Sequence, residues 1–334
     1  MAVNTLGDLA MSYIFRSRNA QLKSDMVRLS TELSTGQTAS VSNAVNANFG
    51  PVSAMEHSLS QLEAYRQSMS ESADFAGAMQ SSLEAIRQSA LSLSTDLLTS
   101  GTTVSAVHFD TLGTSATQAF HASVSQLNTS FGGRALFSGA ATDRAPLADS
   151  HAILSALGSA VASETTASGV KAIVDAWFAP GGGFDSGAYA GSTAPLAPMQ
   201  AGAHRDVDLN VTAADSAIRD TLRGLALSAL MSSQPLSDMP SEQAVMAKMA
   251  GDLLLQTTND LLQTQAIVGV AEETLENARI NNASEIAALE LSLAELLSVD
   301  VYESATKLEQ AESSLELFYA LTARSARLNL ADYL

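Results

Sequence analysis

The sequence predicts a mainly α protein, an elongated rod of long antiparallel helices formed by both chain ends, with a small inserted α+β domain projecting from the middle. Three observations predict it. Apolar residues recur every three or four positions through much of the first 139 and last 94 residues. Aromatics make up only 5% of the 334 residues, with one Trp, Trp177, so burial must rest on Ala, Leu, Val and Met in slender helical packing. Most of the seven Pro fall between positions 140 and 240, where the helical period breaks.

The first stripe runs through Phe15, the stem of Arg18, Leu22, Met26, Leu29 and Leu33. Thr5 and Asp8 have capping-box spacing, and Gly36 is placed to stop the helix. A longer seam follows through Met55, Leu59, Leu62, Met69, Ala73, Ala76, Met79, Leu83, Ile86, Ala90, Leu93 and Leu97, with Arg66 its one charged member. As continuous helix it would reach about 65 Å at 1.5 Å per residue. After a Gly/Thr/Ser break at 100–105, a third pattern through Leu112, Ala116, Ala119, Val124 and Leu127 ends at Gly132–Gly133, with Asp110 at the expected N-cap.

Residues 140–240 mix short alternating stretches, such as Val207 to Val211, with the run Gly181 to Gly183 and helical segments at 153–161, 170–178 and 217–231. Beyond Ser241 the helical pattern resumes and meets no further Pro after Pro240. A lone amphipathic helix cannot bury its own stripe, so the two ends are expected to pair. The expected division is 1–40 with 297–334 as paired terminal helices, 41–139 with 241–296 as a helical rod, and 140–240 as the insert.

Charge removes two classes of partner. Seventeen Lys and Arg against 35 Asp and Glu give a net charge of -18, the wrong sign for displacing phosphate counterions or docking on anionic lipid. The expectation is no nucleic acid and no membrane. With no Cys, disulfides and thiolate chemistry are absent. The first residues lack the pattern of a cleavable signal peptide, so secretion would need a route that reads none.

A search for chemistry yields an expectation of no enzyme, no metal and no cofactor. The five His (His57, His108, His121, His151, His204) lack ligand spacing on one helix. Ser304 to Lys307 and Ser168 to Lys171 match only the first element of a penicillin-binding site. The Gly181 run lacks the Lys-Ser/Thr ending of a phosphate loop. Glu272, Glu273 and Glu276, like Glu309, Glu312 and Glu316, read as solvated helix faces.

Three segments carry a family resemblance: Leu29-Ser-Thr-Glu-Leu-Ser-Thr-Gly36, Gly133-Arg-Ala-Leu-Phe-Ser-Gly139, and the end of the chain, from Asp300-Val-Tyr-Glu-Ser-Ala-Thr-Lys-Leu308 to Leu328-Asn-Leu-Ala-Asp-Tyr-Leu334. The chain resembles the flagellin superfamily, and within it the hook-filament junction proteins (hook-associated protein 3), over about the first 140 and last 95 residues. Where that family usually carries a Pro-Ser-Asp-Asp-Pro-like segment, this chain has Ser40 to Ala47. The resemblance implies a non-catalytic structural subunit of the bacterial flagellum, exported through the flagellar type III apparatus and located extracellularly at the hook-filament junction. Its implied partners are hook-associated protein 1, flagellin, copies of itself in a ring, and a cytoplasmic export chaperone. The assembly interface is expected at Phe15, Leu22, Leu29, Leu33, Leu308, Leu315, Tyr319, Leu328 and Tyr333. The alternatives are a filament-forming flagellin and, remotely, a secreted hydrolase with its site in the insert.

Overall fold

The computed structural model describes residues 3–45, 48–100, 106–203, 205–232 and 236–331, and their side chains except at 3–9, 43, 106 and 325–331. The described fold is mainly α, with nine helices and four short strands. By contacts the chain divides into two units, residues 1–62 with 284–334, and residues 63–283.

The first unit is built on α1 (Val3–Thr35) and α9 (Val301–Ala331), which pack on each other. Gly36 ends α1 at φ 70°, a left-handed turn that glycine enters without Cβ strain. Its carbonyl accepts from the Val299 amide at 3.0 Å, while the Thr38 amide donates to the Leu297 carbonyl at 2.9 Å, an antiparallel clasp around Gln37 and Ser298. Asp300 then caps α9, its carboxylate accepting from the amides of Tyr302 (2.8 Å) and Glu303 (3.1 Å). A four-residue helix, α2 (Val41–Ala44), occupies part of the segment that departs from the family pattern.

In the second unit α3 (Gly50–Ser100) and α8 (Pro240–Leu296), both of which cross its boundary, run antiparallel. The Ser94 hydroxyl donates to the Gly251 carbonyl at 3.0 Å and the Gln265 amide to the Glu84 carboxylate at 3.0 Å, so numbers fall along α8 as they rise along α3. The long seam from Met69 to Leu97 is buried at Met69, Ala76, Met79, Leu83, Ile86, Ala90, Leu93 and Leu97. Two positions of the expected seam differ. Ser72 and half-buried Tyr65 turn inward where Ala73 and Arg66 were expected, and Arg66 faces solvent in an ion pair with Glu63 at 2.7 Å, because a guanidinium has no buried partner there.

Helix α4 (Ala106–Leu127) packs on α7 (Ser216–Ala229). Asp110 lies inside α4, not at its cap, and the helix stops at Leu127, before the glycines. Gly132 and Gly133 instead form the tip of a hairpin, β1 (Ser130–Phe131) with β2 (Arg134–Ala135), where φ of 57° and 77° match the primed turn that suits strand twist. The rest of the Gly-Arg-Ala-Leu-Phe-Ser-Gly segment is an anchor. Leu136 and Phe137 are buried, the Ser138 hydroxyl donates to the Arg144 carbonyl at 2.7 Å, and Asn128 clamps Leu147 through both its amide and its carbonyl (2.9 and 3.0 Å).

Helices α5 (Ser150–Val161) and α6 (Ala167–Phe178), a π-helical turn at Phe184–Ala188, and the hairpin β3 (Met199–Gly202) with β4 (Arg205–Val207) complete this unit. The expected strand 207–211 ends at Val207. Leu209 and Val211 stay buried and Asp208 and Asn210 exposed, so the alternation persists without a ladder partner. Residues 140–240 share one hydrophobic core with the seams of α3, α4 and α8, including the fully buried Phe109, Phe120, Phe137 and Phe184.

Candidate assembly interface

The expected interface residues from Phe15 to Tyr319 lie on α1 and α9, along the sides where the two helices meet. Between Ser304 and Thr322 the only positions that are not exposed are Ser304, Ala305, Leu308, Ala311, Leu315, Phe318 and Thr322. Their steps of three and four put them on one side of the helix. On α1 the matching side carries Phe15, Leu22, Met26, Leu29 and Leu33. Leu29 is buried at 4% exposure, while Phe15, Leu22, Leu33, Leu308 and Leu315 are half-buried. The rings of Phe15 and Phe318 meet edge to face.

Tyr319 sits at the rim, 46% exposed, and hydrogen bonds from Asn19 and Lys23 of α1 hold its hydroxyl below the usual tyrosine range. The seven residues from Phe15 to Tyr319 thus line the meeting of the two terminal helices. The Leu328 side chain and Tyr333 lie outside the described residues.

Beside the clasp a polar cleft is lined by Arg28, Glu32, Asp300, Glu303 and Lys307. Glu32, almost fully buried, accepts from the Arg28 guanidinium at 3.1 Å and from the Ala39 amide at 3.1 Å. Lys307 pairs with Glu303 at 2.7 Å. Among the described residues no group of three or more His, Asp or Glu could hold a metal ion, and no helix is long and apolar enough to cross a membrane.

Sequence reasoning missed the exposed apolar residues on the outer sides of the two terminal helices. Tyr13 (73% exposed) and Val27 on α1, with Tyr302 (83%), Leu317 and Leu321 on α9, point away from the seam. At 100° per residue Tyr13, Val27, Tyr302 and Leu317 lie on the side of their helix away from the inward stripe, and Leu321 lies on its flank. The signal was available: apolar residues occur on both sides of each terminal helix, and a helix apolar on more than one face calls for more than one neighbour.

No protein-family model matches the chain, and no curated relative matches it. Among solved structures, it is similar in fold to a protein assigned as a flagellar hook-associated protein from Vibrio parahaemolyticus. That likeness has a TM-score of 0.56 at 15% identity, over 77% of this chain and 100% of that one.

Proposed function

We propose that this chain is a structural subunit of the bacterial flagellum that joins the hook to the flagellin filament. The observation that carries the reading is the antiparallel pair α1–α9, whose inward stripes cover each other while Tyr13, Val27, Tyr302, Leu317 and Leu321 stay exposed on the outer sides of their helices. Exposed apolar residues gain about 25 cal/mol per Å² when a neighbour covers them. The seam residues Phe15, Leu22, Leu29, Leu33, Leu308, Leu315 and Tyr319, with Leu328 and Tyr333 beyond them, would hold the terminal pair in the form that assembles.

The fold likeness to a hook-associated protein and the three family-like segments support the same reading. Its partners would be hook-associated protein 1 on one side, flagellin on the other and further copies in a ring, with an export chaperone before secretion through the type III apparatus. The function is mechanical, residing in side surfaces and needing no catalytic group.

Electron microscopy of a strain lacking the gene tests this. Intact hooks without filaments, and flagellin shed into the medium, are the expected outcome. Normal hooks carrying a merely shortened or altered filament would instead indicate a filament flagellin.

A further inference from the structure

Two imidazoles meet where α5 leaves the chain to dock on α4. The ring centroids of His121, on α4, and His151, in the first turn of α5, are 4.1 Å apart with planes tilted by 40°. His121 Nδ1 lies 2.8 Å from the hydroxyl of Ser150, the first residue of α5. His121 is partly buried and His151 exposed. Asp149 caps α5, its carboxylate accepting from the amides of His151 and Ala152.

We propose that this contact is an acid-sensitive latch, in which protonation of His121, held against His151 and the first turn of α5, releases that turn from α4. Two features of the contact oppose that proton: His121 is partly buried, and the first turn of a helix carries partial positive charge of its own. Burial first, and then His151, hold His121 below the ordinary histidine range, while Asp149 acts in the opposite direction.

Other charged groups on elements packed against α4 are engaged elsewhere or lie on the 3-10 turn. On α7, Arg219 pairs with Asp185, and Arg223 with Asp175 and Asp220. The turn at Leu236–Asp238 contributes Asp238. Of all of these, only His151 and Asp149 act on His121.

The sign follows. A histidine whose folded value lies below its unfolded one leaves stability intact above about 6.5, and stability falls as pH drops from there to the lowered value. Proton uptake therefore favours the open state.

Hydrogen exchange of the full chain, corrected for intrinsic rates and referenced to α3 and α8, tests the latch at pH 7.5 and pH 5.0. The α5 amides of the native protein should lose protection at pH 5.0, and His121→Gln, which has no ring to protonate, should keep it. His151→Gln, a change at an exposed position, removes one of the groups that oppose the proton and should lose less than the native protein. Equal loss in the native protein and either variant, or unchanged protection of α5 in the native protein, would each overturn the proposal.

Discussion

The rings of Phe15 and Phe318 meet edge to face at 5.6 Å between centroids and 75° between planes, joining residues from opposite ends of the chain. Edge-to-face pairs contribute beyond the area they bury. Because both rings are half-buried, Phe318→Ala should cost roughly 1–2 kcal/mol, less than a full core truncation. The loss should be local. Hydrogen exchange should accelerate in α1 and α9 and stay unchanged across residues 63–283; a uniform acceleration would contradict a local loss.

Two glycines should respond differently to alanine. At Gly36 an added Cβ meets nothing within 4 Å, so Gly36→Ala should cost only the left-handed backbone penalty, about 1–2 kcal/mol. At Gly251 the Cβ would lie 2.9 Å from Leu98 Cγ and 3.3 Å from Leu97 Cβ, so α3 and α8 must separate or Leu98 must change rotamer. Overpacking of this kind costs about 1–3 kcal/mol. Denaturation followed separately for the two units should assign the first loss to the termini and the second to the α3–α8 pairing.

Glu84 carries a pH dependence. Hydrogen bonds from Arg87, Gln265 and Gln88 lower its carboxyl to about 2. A lowered carboxyl stabilises the fold above its unfolded value of about 4.5, and that contribution is lost as pH falls toward 2. The side chain is 36% exposed, so solvent screening keeps the contribution small, under about 1 kcal/mol at pH 7. Glu84→Gln should lose it at neutral pH and match the native protein near pH 2, and parallel stability curves from pH 7 to pH 2 would contradict this.

Asp300 caps α9 directly after the clasp. Asp300→Ala should cost about 1 kcal/mol and fray the start of α9, whereas Asp300→Asn should retain most of the cap. Comparing the exchange of the Tyr302 and Glu303 amides in the two variants decides it.

Much of this was legible in the sequence. The inward stripes of α1 and α9 and the seam of α3 follow from helical spacing, and Gly36 was readable as a stop because little else tolerates its conformation there. Other features needed three dimensions. Gly132 and Gly133 read as a helix end, yet they turn a hairpin, since two positive-φ residues serve either role until the pairing of Ser130 with Ala135 is known. Asp110 has the chemistry of a cap, but α4 begins earlier, at Ala106. The pairing of the chain ends was expected from the stripes, whereas the outward apolar residues Tyr13, Val27, Tyr302, Leu317 and Leu321 escaped a reading that follows one stripe per helix. The contact of His121 with His151 joins residues whose spacing suggests nothing, because it depends on how α5 returns to α4.

The most direct test of the structural role is immunogold electron microscopy of intact flagella with antibody raised against residues 140–200. A single band of label at the boundary between hook and filament is the predicted result; label along the length of the filament, or none on the flagellum, would contradict the account.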